Sequence, residues 1–327
     1  MIFLHRISYK PVYYMERYRS YSSFLKERFG KKVYKICLDG GFTCPNRDGS
    51  LSDRGCLFCS EGGSGEFSES AARPIADQIR TGKKQTERKF HGDSYMAYFQ
   101  AFTGTYAPME RLRELYSQAM EPEEVLGLTI ATRPDCLSDE VLDLLCDCSL
   151  RKPVFLELGL QTCHDRTAFR LNRGYPTSVF EDAVKRCHER GIRVCAHLIL
   201  DLPGEDHSMM METISYINRL PVQGVKMSML HILKNTPLGE SYLKAPFPLF
   251  NMEEYTDCIV DCIEALRPDI VIERMTGDGP RKLLIAPLWT LDKRRVLNTI
   301  HQKLALKDSR QGQYMNATRM TAYTGAT

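Results

Sequence analysis

From about residue 33 the chain alternates short β-rich runs with longer stretches of helical period, and this alternation constrains its fold more than any other feature. Candidate strands are 33–38, 94–102, 125–131, 154–160, 192–200, 224–230 and 269–274, and the helical stretches between them are 74–89, 108–120, 138–149, 178–190, 205–219 and 252–267. Ser138, followed by Asp139, Glu140 and Val141, has the pattern of an N-cap with an acidic first turn, and Gly191 closes a helix before the fifth strand. Six or seven βα units in series imply a parallel sheet, and the right-handed crossover rule makes an α/β fold built as a partial (β/α)6 TIM-like barrel the economical solution. At roughly 150 residues per domain, 327 residues suit about two domains or one large barrel of this kind. In such barrels the site lies at the C-terminal ends of the strands.

The expected organisation is a basic N-terminal extension over 1–32, the barrel over 33–275 and a basic C-terminal extension over 276–327. The net charge of +3 conceals an asymmetry: residues 1–36 carry +7, residues 281–327 carry +7, and the body between them carries −11. Basic ends on an acidic body are the footprint of a nucleic-acid contact. In the N-terminal arm the charges interleave with Tyr13, Tyr14, Tyr18, Tyr21, Phe24, Phe29 and Tyr34, a mixture suited to unstacked RNA bases. The alternative is a solvated helix whose rings pack on the barrel. Lys293, Arg294 and Arg295 form the densest basic step of the tail, near the single Trp289.

The apolar run at 194–200 is seven residues long, too short for a membrane span. His5 and Arg6 break the apolar core that a secretory signal requires. Twelve cysteines in so long a chain point to a reducing compartment, so a cytoplasmic location is expected.

The loop after the first strand reads DGGFTCPNRDGSLSDRGCLFCSEGGSGEF, with eleven residues between Cys44 and Cys56 and two between Cys56 and Cys59. Three thiolates from one loop can hold three irons of a [4Fe–4S] cubane and leave the fourth open. Phe58 lies inside the CxxC pair, and Gly40, Gly41, Gly49 and Gly55 are suited to positive φ. Two other readings stand beside the cluster: a zinc site closed by Cys37, and a redox dithiol.

These residues resemble the radical S-adenosylmethionine (SAM) superfamily. The spacing departs from the commonest CxxxCxxC and is similar to the elongator-like, YhcC/YtqA-type branch, in which GGFTCPNRDG and CX11CxxC occur together. YFQAFTGTYAP, ATRPDCL, LELGLQT, LNRGY, HLILDLPGE and ERMTGDGPR extend the likeness from about Asp39 to Arg281. The resemblance implies a radical SAM barrel with a [4Fe–4S] cluster on Cys44, Cys56 and Cys59, and SAM chelating the open iron. It also implies reductive cleavage of SAM to a 5′-deoxyadenosyl radical, and a wobble-uridine side chain of tRNA as target. Gln100 to Thr103 replaces the Gly-Gly-Glu string that receives the methionine amino group in many relatives. Glu157 or Gln161 is expected at the ribose, Arg173 at the methionine carboxylate, and the backbone from Ile199 to Gly204 at the adenine. Asp201 stands where relatives often carry Gly, as a substrate-facing carboxylate or a helix-entry acceptor.

Cys136, Cys146, Cys148, Cys163, Cys187, Cys195, Cys258 and Cys262 form no comparable group, and His197, His231 and Met209 to Met211 read as core residues. The partners expected are tRNA or another RNA bound through the basic ends, and a reductant of flavodoxin or ferredoxin type, with no membrane. The alternatives are a radical SAM enzyme for a small metabolite or tetrapyrrole, and a non-catalytic zinc-bearing RNA-binding module.

Overall fold

The computed structural model describes residues 16–66, 68–88, 92–277 and 279–315. Tyr13, Tyr14 and the other basic or aromatic residues of 1–15, like those of 316–327, lie outside the described residues.

Seven parallel strands form one sheet: β1 (Tyr34–Leu38), β2 (Tyr95–Phe99), β3 (Val125–Thr132), β4 (Val154–Gln161), β5 (Arg193–Leu200), β6 (Gly224–Met229) and β8 (Val271–Arg274). The seven candidate strands are all present. Spatial order follows chain order, interrupted by the short β7 (Ile232–Leu233), which pairs antiparallel with β9 (Leu284–Ala286). The sheet curls until its edges face one another, and Lys35 of β1 reaches Glu273 of β8 at 3.4 Å. The result is a half-barrel with one strand more than six units supply.

The helices are α1 (Tyr21–Phe29), α2 (Ile75–Glu87), α3 (Met109–Met120), α4 (Asp139–Arg151), α5 (Asp165–Arg170), α6 (Thr177–Glu189), α7 (His207–Asn218), α8 (Pro237–Lys244), α9 (Met252–Ala265) and α10 (Lys293–Leu306). The crossover helices bury one stripe against the sheet. On α6 that stripe is Phe180, Ala183, Val184 and Cys187, the i, i+3, i+4, i+7 spacing of an amphipathic helix. Burial of each large apolar side chain contributes about 1.5–3 kcal/mol. The Ser138 hydroxyl accepts from Val141 N at 3.3 Å, and Gly191 takes φ +69°, so both helix signals operate as the sequence implies. Among the described residues no helix is long and apolar enough to cross a membrane.

The N-terminal segment corrects an expectation. Helix α1 closes the end of the barrel where the strands begin: Leu25 is buried with Met96 and Phe155, and Tyr21, Phe24 and Phe29 pack on them. The Arg193 guanidinium lies 4.5 Å from the Phe24 ring centroid. Tyr18 hydrogen-bonds His301 at 3.0 Å. These rings are therefore occupied by the protein, far from the barrel mouth, because the interior needs an apolar floor there. Lys26, Arg28, Lys31 and Lys32 stay exposed on that side. The tail joins them: Arg17 pairs with Asp308 at 2.8 Å, and Arg19 N donates to Gln311. Ile272 N donates to Arg19 O at 2.9 Å, so Ser20 forms a bridge along the outer edge of β8. Helix α10 packs on α9 through Val296, Ile300 and Leu304, and Trp289 donates to Phe250 O.

Candidate active site

The opposite end of the barrel, where the strands finish, holds a cavity of about 400 Å³. Its mouth is formed by the loop between β1 and α2, and Cys44, Cys56, Phe58 and Cys59 all line it. The loop keeps its shape by internal bonds. Gly55 N donates to Asn46 O at 2.6 Å, and Arg47 Nη2 reaches Cys59 O at 2.7 Å and Ser60 O at 2.5 Å. Gly55 has φ +71°, and a Cβ there would lie 2.7 Å from Arg47 Nε, so both conformation and space require glycine. Gly41 and Gly49 also have positive φ. Gly40 does not: a Cβ on it would strike the Phe42 ring at 2.5 Å, so close packing is what selects glycine there. Burial pushes the Cys59 thiol up to about 12 and raises Cys56 as well, the direction for thiols held in an enclosed site without a metal.

LNRGY clasps this loop from the far side. Leu57 N donates to Leu171 O at 2.9 Å, Asn172 Nδ2 to Gly55 O at 2.7 Å, and Asn46 Nδ2 to Asn172 O at 2.6 Å. Arg173 sits beneath, 1% exposed, with Nε on Tyr175 O, Nη1 on Leu160 O and Thr162 O, and Nη2 on Asp165 and Thr177. All five donors are satisfied by the protein and the side chain does not line the cavity, which removes Arg173 from the methionine carboxylate. Its neighbour Arg133 of ATRPDCL does line it, paired with Asp135 at 2.6 Å and donating to Arg173 O at 3.0 Å. The Tyr175 ring lies 4.8 Å from each guanidinium. No sequence signal separated these two arginines, because the distinction is one of burial.

The strand ends supply the cavity wall. Phe102 (φ +56°) beyond β2, Gln161 (φ +61°) closing β4 and Asp201 (φ +66°) after β5 are non-glycine residues held in the left-handed region, and such strain gathers at functional sites. The Gln161 Oε1 atom is buried with no hydrogen bond. Gln100 lines the cavity, but its amide is occupied: Oε1 accepts from Cys37 at 3.1 Å and Nε2 donates to Ser64 O at 2.8 Å. Thr103 lines it too, its backbone N bonded to Thr43 O, and its hydroxyl has no hydrogen bond among the described residues. Asp201 Oδ2 accepts from Phe250 N at 2.7 Å, which makes it a loop acceptor; burial raises its carboxyl to about 6.

Glu157 lies at the cavity floor and is buried. Oε1 receives Lys35 Nζ at 2.7 Å, and Oε2 receives both Tyr98 Oη at 2.5 Å and Lys226 Nζ. Burial alone would raise this carboxyl, but the two ammonium groups hold it well below the usual range. With both oxygens engaged, Glu157 is the hub of a barrel ion network and is corrected from the ribose position. Burial lowers Lys226 to about 8 against the pull of Glu157, and burial lowers His197 to about 3, with Lys226 and Arg274 adding to it, so the ring is neutral. His197 also lines the cavity, so it is not the core residue expected. Among the described residues no three Cys, His, Asp or Glu side chains converge closely enough for a single ion, which leaves a zinc site closed by Cys37 without geometric support.

A curled half-barrel of parallel strands, presenting three cysteines of one loop to a cavity at the strand ends, defines the class of iron–sulfur enzymes that cleave SAM. The chain belongs to the radical SAM superfamily: the profile described as "Radical SAM superfamily" matches residues 50–217, and "Radical_SAM C-terminal domain" matches 222–305. It is 42% identical over 299 residues to "Uncharacterized protein YtqA" of Bacillus subtilis, covering 91% of this chain and 93% of that one. It is 38% identical over 268 residues to "Protein YhcC" of Escherichia coli, covering 81% and 85%. Among solved structures, the archaeal Methanocaldococcus infernus Elp3 shares the fold at a TM-score of 0.65 and 15% identity, covering 85% of this chain and 64% of that one. Family membership implies a [4Fe–4S] cluster and SAM. The residues present fit both: three thiols at a cavity mouth, and below them an orphaned Gln161 oxygen in a space large enough for a nucleoside.

Proposed function

We propose that this enzyme modifies an RNA, a wobble-uridine side chain of tRNA being the target, with a flavodoxin- or ferredoxin-type protein as reductant. Cys44, Cys56 and Cys59 would hold the cluster, and Phe58 would screen it from water. The Thr103 hydroxyl would receive the methionine amino group, and Gln161 would accept from a ribose hydroxyl. When bound, the cluster and SAM supply one-electron cleavage that yields an adenosyl radical able to take hydrogen from carbon. The chain's own part is to enclose that chemistry: α1 seals the floor, and Glu157 engages Lys35, Tyr98 and Lys226 beneath the cavity.

The observation that carries the RNA reading is a basic group at the mouth. The β7–β9 ladder brings exposed Lys234, just after β7, beside exposed Arg281 and Lys282, just before β9, and Lys234 N donates to Leu283 O at 2.7 Å. None of the three has an ion-pair partner among the described residues, and neighbouring Leu233 and Pro280 line the cavity. Phosphates of a folded RNA placed there would leave a flipped base above the cysteines.

The test combines binding and chemistry. Anaerobically reconstituted protein, given dithionite, SAM and bulk tRNA, should form 5′-deoxyadenosine and change the mass of one anticodon nucleoside. Lys234→Glu, Arg281→Glu and Lys282→Glu together should reduce the salt slope of tRNA affinity by about 2, three contacts at about 0.7 each. An unchanged slope, or turnover only with a small metabolite, would refute the RNA reading.

A further inference from the structure

The pairing of β6 with β8 contains an irregularity with a chemical consequence. Val225 pairs with Ile272, but the next pair is Lys226 with Arg274, so Glu273 is an extra residue. A bulge of this kind re-aims side chains, and here it turns two consecutive residues inward. Glu273 points down to Lys35 and Arg193, at 3.4 Å from each, while Arg274 lines the cavity. Sheet pairing then sets His197 beside Lys226 and Lys226 beside Arg274, one row of nitrogen groups across three strands. Ser228, two residues beyond Lys226 on the same face, is 7% exposed, and its hydroxyl is buried without a hydrogen bond.

Among the described residues the charges in this layer do not balance. Lys35, Arg193, Lys226 and Arg274 face two carboxylates, Glu157 and Glu273, and every ion pair in the layer belongs to the other three cations. Arg274 has no hydrogen bond or ion pair among the described residues. A half-buried guanidinium without a counter-charge costs free energy unless something supplies one. Its planar fork matches an oxyanion, to which Ser228 adds a donor. The neutral His197 ring can add one more.

We infer that Arg274 and Ser228, flanked by His197, form a subsite for an oxyanion group of the substrate, either a carboxylate or a phosphoryl group. It rests on the radical SAM reading only in making that anion part of the substrate. The row lies on β5, β6 and β8, whereas the cysteines stand on the loop after β1, so the anion would anchor the substrate with its remainder toward the cysteines.

The test uses cluster-loaded protein under anaerobic conditions. Tm is measured against inorganic phosphate and, separately, acetate, with chloride holding ionic strength constant. Wild type should gain several degrees with one or both anions, and the more effective anion identifies the chemistry. Arg274→Gln should abolish the gain, Arg274→Lys should keep part of it, and Ser228→Ala should weaken it several-fold in concentration. No anion effect in wild type, or an equal effect in Arg274→Gln with a normal Tm in chloride, overturns the subsite. Equilibrium dialysis with SAM separates the two readings. Undiminished SAM binding in Arg274→Gln supports a substrate site, and lost binding reassigns the arginine to the cofactor's own carboxylate and overturns it. Wild type that responds to the anion but makes no 5′-deoxyadenosine would sink the radical reading and leave the anion site standing.

Discussion

Lys35 on β1 and Glu157 on β4 meet across the barrel interior at 2.7 Å, joining strands that share no backbone hydrogen bond. Lys226 completes the triad from β6, and all three are largely withdrawn from water. Glu157→Gln leaves the buried Lys226 ammonium without a carboxylate and Lys35 with Glu273 alone, and should cost about 3–5 kcal/mol in urea denaturation. Replacing the triad together with Met, Leu and Met should recover most of that loss. A stable Glu157→Gln protein with weakened SAM binding would instead restore the ribose role.

Arg173 makes a different kind of contribution. Lysine cannot reach the acceptors that this guanidinium serves, so Arg173→Lys should lower Tm strongly, by several kcal/mol equivalent at about 1 kcal/mol or more per bond. The cysteine loop should loosen with it, visible as faster amide exchange at Leu57, whose N–H ends on Leu171 O. Normal Tm with impaired SAM affinity would contradict this.

The cysteines separate cluster from zinc. Cys44→Ala, Cys56→Ala and Cys59→Ala should each lose most of about four iron and four sulfide per chain after reconstitution, whereas Cys37→Ala should retain them. Elemental analysis reads both, and about one zinc dependent on Cys37 would overturn the assignment.

Asp201 carries a pH signature. Its carboxyl is raised from 3.8 to about 6 in the folded state, mainly by burial. The folded protein therefore binds the extra proton between about pH 4 and pH 6. The resulting stability is complete below pH 4 and is lost as pH rises through 6, at most about 3 kcal/mol at 1.36 kcal/mol per unit. Asp201→Asn keeps an acceptor for Phe250 N and tolerates φ +66°, so it should remove this slope without unfolding the loop. Denaturation at pH 4, 5, 6 and 7 compares the two proteins.

The floor of the barrel gives a simpler test. Phe24→Ala should cost about 1.5–3 kcal/mol in denaturation, since the half-buried ring packs on Phe155 at 5.9 Å between centroids, and should leave tRNA affinity unchanged. Lost RNA affinity at wild-type stability would return the aromatic arm to the substrate.

The strands and crossover helices were legible because a sheet buried on both faces writes continuous apolar runs, and amphipathic helices write a period of 3.6. The cysteine loop was legible because its chemistry is local in sequence. Helix α1 was not: Tyr21, Phe24 and Phe29 have the same spacing whether they face solvent or the barrel floor, and only the tertiary contact with Met96 and Phe155 decides. Arg173 and Arg133 differ in burial and partners, which no spacing records. β7 and β9, with two and three residues, fall below any periodic signal, although they place Lys234 beside Arg281 and Lys282. The inward turn of Arg274 depends on one extra residue in a ladder between strands some 45 positions apart, so it had no local trace.

The bridge of Ser20 to Ile272 bears on how the protein behaves when it is trimmed. Because the sheet is an open arc, β8 would otherwise offer a row of bare amides and carbonyls to any passing strand. The Arg19 carbonyl occupies that row, so a form that starts at residue 21 keeps the floor helix yet loses its guard against self-association, and its solubility fails before its chemistry can be assayed.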